Sequence, residues 1–146
     1  VKVLHLATHG AFNAEVPLES SIVLAGQNKP SYLTAARLFE APLLAKLIIL
    51  SACETGVGKA TAGDDFLGLT RSLYLGGAMT VVNSLWPIED MGTLAFMQKF
   101  HEMAKEDDYG QAWLAARNHL RKMGFAPSIY GAFILGGAPG VRRDER

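Results

Sequence analysis

The run at 46–52, KLIILSA, is too short for a buried helix and shows no alternation of apolar and polar residues, the pattern of a strand covered on both faces. Three more runs read the same way: residues 1–8, 79–85 (MTVVNSL) and 131–136 (GAFILG). Helical spacing fills the gaps between them. Asp64 or Asp65 can cap a helix carrying Phe66, Leu69, Thr70 and Leu73 and stopped by Gly76-Gly77; it is apolar nearly all round, which predicts burial. A second helix opens at Glu89 and Asp90 and puts Phe96, Met97, Phe100, Met103 and Ala104 on one face. A third starts near Asp108, spaces Tyr109, Ala112, Trp113, Ala116, Leu120 and Met123 at the helical period, and stops at Gly124 with Arg121 and Lys122 at its negative end. Residues 11–45 are less regular and fit a short hairpin followed by a short helix from Thr34 to Phe39. Strands alternating with helices predict an α/β layered sheet, mostly parallel, with helices on both faces.

The 146 residues suffice for one domain with one core. With 14 basic and 14 acidic residues and no block of either sign, there is no electrostatic footprint for nucleic acid or an anionic membrane. No apolar run approaches the roughly 20 residues of a membrane span, and the start has no signal-peptide pattern. The single cysteine cannot form an internal disulfide, which fits a reducing compartment and a cytoplasmic protein. A start at Val1 inside a strand-like run, with 19% charged residues, reads as a fragment.

That single cysteine, Cys53, ends one strand-like run, and His9, followed by Gly10, ends another. Ligands of open α/β sheets bind at the carboxyl ends of strands. A thiolate there is a nucleophile, and an adjacent imidazole raises its fraction and protonates the leaving amine. Gly10 lets a backbone N–H approach the substrate and, with the N–H of Cys53, can cradle an oxyanion. The plain alternative is that Cys53 is inert packing and His9 structural. His5 reads as a hydrogen-bonded core residue, and His101 and His119 as surface residues on helices. HLATH lacks the glutamate of the helical zinc motif, so no metal is expected. Two other folds are disfavoured. The nucleophile elbow puts its nucleophile before the histidine and between flanking glycines, and GVGKAT lacks the leading glycine of a phosphate-binding loop.

HLATHGAFN, LTAARLF, LIILSACETGVG, GDDFLGLTRSLYLGGAMTVVNSLWPIED and YGAFILGG resemble, in order and spacing, the CHAT domain, a caspase-like cysteine peptidase module often found beside tetratricopeptide repeats. The resemblance implies a three-layer α/β/α caspase-hemoglobinase-like sheet, of which residues 1–146 form the C-terminal part, without the first two strands. It implies catalytic His9 and Cys53, an oxyanion site at Gly10 and the Cys53 amide, no required third carboxylate and no cofactor. Where metacaspases carry a pocket aspartate and caspases a glutamine, this chain has Ser51, so selection of Arg or Lys through that position is not expected. Asp90, or Asp64 and Asp65, can supply charge from elsewhere or serve as helix caps. Ser84, Leu85 and Trp86 fall where the substrate groove forms, and Trp86 either stacks on a substrate side chain or packs beside Pro87. The expected function is a cysteine endopeptidase acting on a protein or peptide, with tetratricopeptide repeats in the parent chain as partners. The alternative is a catalytically silent caspase-like scaffold acting with such repeats.

Overall fold

The computed structural model describes residues 2–11, 13, 15–54 and 64–141, with the side chains of residues 52–54 and 64–68 outside the description. The glycine-rich stretch at 55–63, the side chains of Asp64, Asp65 and Phe66, and the thiol of Cys53 therefore lie outside the described residues.

Six strands form one sheet in the order β3-β2-β1-β4-β5-β6. They are β1 (Val3–Ala11), β2 (Ser21–Leu24), β3 (Ser31–Thr34), β4 (Leu47–Glu54), β5 (Thr80–Ser84) and β6 (Phe133–Gly137). The helices are α1 (Ala35–Glu40), α2 (Asp64–Leu75), α3 (Asp90–Met103), α4 (Tyr109–Lys122) and α5 (Pro127–Tyr130).

The α/β class holds, and parallel pairing is confined to the three central strands, β1 with β4 and β4 with β5. The outer pairs are antiparallel, so the sheet is mixed. For one of these pairs the reason is local. β2 and β3 are the two arms of the expected hairpin, and a short connection between strands forces the antiparallel sense.

Alternation along β4 makes the layers. Leu47 and Ile49 pack with Val82, Phe133 and the buried residues of α3 and α4. Ile48 and Leu50 pack with Ile22, Val81 and the buried residues of α1 and α2. All four β4 residues are buried, which explains the unbroken apolar run. Phe96 of α3 stacks on Phe133 of β6 with ring centroids 3.8 Å apart, tying the helical layer to the sheet edge.

The helix ends follow their caps. The Thr34 hydroxyl accepts from the Arg37 N–H at 3.3 Å, and the Asp108 carboxylate accepts from the Gln111 N–H at 2.8 Å. α2 and α4 both end in Schellman turns on left-handed glycines, Gly77 (φ 108°) and Gly124 (φ 84°). The Ala78 N–H donates to the Leu73 carbonyl, and the Phe125 N–H to the Leu120 carbonyl. Two expectations need correction. α2 buries one face, with Leu69 and Leu73 inside and Arg71 and Leu75 outside, so it is not buried all round. Met123 sits at the α4 cap and is exposed.

Candidate functional site

β1 does not stop before His9. Its ladder with β4 continues through His9↔Cys53 to Gly10↔Glu54, and β2 joins its far edge at Gly10 and Ala11. His9 and Gly10 are thus inside the strand rather than beyond it, because partners are available on both sides. The histidine is exposed and the glycine buried. In register, position 9 faces position 53 across adjacent parallel strands, at the carboxyl ends of both.

A pocket of about 300 Å³ opens at this end of the sheet, lined by Ala7, Thr8, His9, Ser51, Ser84, Ile88, Asp90, Thr93 and Phe133. It gathers four of the expected site residues, His9, Ser51, Ser84 and Asp90, from three strand ends and the start of α3. Ser84 is buried at the end of β5, and Asp90 is exposed in the first turn of α3. Glu89, not Asp90, occupies the cap position of α3, and it makes no side-chain capping bond.

Leu85 and Trp86 do not line the pocket. The Trp86 indole N–H donates to the Ser128 carbonyl at 2.7 Å, which ties the strand exit to α5. The Leu85 N–H donates to the Ala132 carbonyl at 2.9 Å. The sequence reading missed Thr93, although it stands three residues after Asp90, the spacing that puts two side chains on one helical face. It also missed Ala7, which shares a strand face with His9.

His5 is hydrogen-bonded as expected, but it is exposed rather than part of the core. β2 pairs with β1 only from Gly10 onward, so no strand lies beside His5 on that edge among the described residues. His101 and His119 are half-buried rather than surface residues, and the His101 ring packs against His5. Burial of part of its ring, and then the charge of His101, hold the His5 pKa below the ordinary value of 6.5.

Among the described residues no three histidine, cysteine or acidic side chains cluster as metal ligands, and no helix is long and apolar enough to cross a membrane. The sequence model of the CHAT domain matches residues 1–130. The chain belongs to the CHAT-domain family. Over 69 residues, 47% of its length, this CHAT chain is 36% identical to Tetratricopeptide repeat protein 28 of Mus musculus. It is 35% identical to Tetratricopeptide repeat protein 28 of Homo sapiens, again over 69 residues. The aligned stretch covers 3% of each relative, so the CHAT chain spans a small part of the length of these proteins.

Proposed function

We propose that this CHAT domain is a cysteine endopeptidase module in which Cys53 is the nucleophile and His9 the general acid and base. The observation that carries the reading is the register His9↔Cys53 at the mouth of a pocket large enough for one side chain. Partners in a parallel ladder are nearest neighbours across the sheet, and a sulfur and an imidazole need that proximity to exchange a proton.

The step balances with these groups alone. His9 takes the thiol proton as the Cys53 sulfur bonds to the substrate carbonyl carbon, and the oxygen becomes an oxyanion held by the N–H groups of Gly10 and Cys53. The C–N bond breaks, and His9 returns the proton to the departing amine. Water then adds to the thioester carbon with His9 as base, releasing the acid and restoring the thiol. Ser51, Ser84 and Asp90 form the wall that receives a side chain of the substrate; Leu85 and Trp86 contribute by fixing the strand exit. The names of the two relatives support a parent chain in which the module works beside tetratricopeptide repeats.

The test is labelling of the full-length parent with a thiol-directed acyl-methyl ketone. Cys53 is expected to be labelled, with the label abolished by Cys53→Ala and slowed about a hundredfold by His9→Ala, the low end for loss of a general acid–base residue. Labelling that His9→Ala leaves unchanged would favour a silent caspase-like scaffold instead.

A further inference from the structure

Two histidines that the proposed reaction does not use stand in line with the pocket. His5 lies on β1, and His101 lies in the last turn of α3. Nδ1 of His5 and Nε2 of His101 are 3.2 Å apart. Phe100 meets the His101 ring edge-on at 5.8 Å and helps fix its plane. On the other side of His5, Nε2 lies 3.5 Å from Ser51 Oγ, longer than an ordinary hydrogen bond and close enough to become one with a small shift of the ring. Ser51 lines the pocket and His5 does not, so among the described residues that hydroxyl is the contact linking the two imidazoles to the pocket.

A neutral imidazole has one N–H and one bare nitrogen, which couples the two contacts of His5. If Nδ1 accepts from His101, then Nε2 carries the hydrogen and donates to Ser51, leaving the serine proton to donate into the pocket. If Nδ1 donates to His101, then Nε2 accepts the serine proton and the pocket meets oxygen lone pairs. In either arrangement the serine is held as a neutral, directed hydrogen-bonding group. Of the titratable groups among the described residues, His101 from α3 is the one whose charge acts on His5; β4 brings the neutral Ser51 against it.

We propose that His5 and His101 are positioning residues that orient the Ser51 hydroxyl and so make the pocket a receptor for an uncharged carboxamide side chain, such as that of glutamine. A carboxamide offers both a carbonyl acceptor and N–H donors, so it satisfies either arrangement. An alkyl chain of the same size satisfies neither and leaves the pocket side of the hydroxyl unpaired. This inference rests on the pocket being the substrate side-chain receptor, and it does not require cleavage.

The test is therefore binding. The full-length parent carrying Cys53→Ala is titrated with dye-labelled Ala-Ala-Xaa-Ala-Ala peptides in which Xaa is Gln, Leu or Lys. The Gln peptide is expected to bind about three- to tenfold more tightly than the Leu peptide, the range of one neutral hydrogen bond. Ser51→Ala erases the difference. His101→Leu reduces it, His101→Gln restores it by supplying both a donor and an acceptor, and His101→Leu has no further effect when combined with Ser51→Ala. Equal binding of Gln and Leu peptides, tighter binding of Lys, no binding of any of the three, or a His101→Leu effect that persists alongside Ser51→Ala would each overturn the proposal. Failure here leaves the labelling of Cys53 unaffected, so the two readings fail separately.

Discussion

At the scale of single residues, a thiol and an imidazole suit amide cleavage because their ordinary pKa values, about 8.5 and about 6.5, bracket neutral pH, so a proton moves between them at little cost. His9 can do this from an exposed strand end, whereas His5, on the same strand, is turned to another task by its contact with His101. That contact has a consequence for stability. The pKa of His5 is lowered in the fold, first by burial and then by His101, relative to the ordinary 6.5. As pH falls through that ordinary value, the unfolded chain takes up the proton first, and the stability tied to neutral His5 is lost. The ring keeps contact with solvent, which damps the effect. Urea midpoints compared between about pH 7.5 and about pH 5.5 should fall more for the natural chain than for His5→Gln; equal falls would show that His5 contributes nothing to the acid sensitivity. His9 and Cys53 stood out in the sequence because a strand exit is visible in a short apolar run. The role of His5 did not, since its partner is 96 positions away and only the packing of α3 on β1 brings them together.

At the scale of elements, helix ends were the most legible features, because a cap is a local sequence event. Thr34, Asp108, Gly76-Gly77 and Gly124 each mark the boundary that the structure has. Gly124 and Gly77 separate two costs that usually come together. A methyl added at Gly124 meets nothing within 4 Å, so Gly124→Ala should cost only the left-handed backbone penalty of about 1–2 kcal/mol. At Gly77 the same methyl comes within 3.2 Å of the Leu43 carbonyl oxygen, so Gly77→Ala should cost more. Equilibrium urea unfolding of the two variants checks the order, and a smaller loss at Gly77 would contradict it. The end of β1 was harder to read. Nothing in HLATHGA announces that Gly10 and Ala11 continue the strand, because the reason is the arrival of β2 alongside them. The sense of β6 was equally hidden, since it depends on how a connection through three helices returns to the sheet.

For the whole molecule, the fold does one thing that matters to the proposed chemistry: it sets β1 beside β4 in parallel, in the register that pairs position 9 with position 53. The intervening hairpin and α1 serve as the crossover, the two cores clamp β4 from both faces, and α3 closes one wall of the pocket. Class, layers and family were legible in the sequence because burial on both faces and helical periodicity leave strong patterns. The pocket was legible only in part, because its wall comes from five elements whose side chains converge through packing. The most direct measurement is the pH dependence of Cys53 alkylation by iodoacetamide in the full-length parent, with Cys53 resolved by mass spectrometry, for the natural chain and for His9→Ala. A sulfur that shares a proton with His9 should react well below the free-thiol range of about pH 8.5, and His9→Ala should return its profile to that range. Identical profiles for the two chains would contradict the pairing on which the account depends.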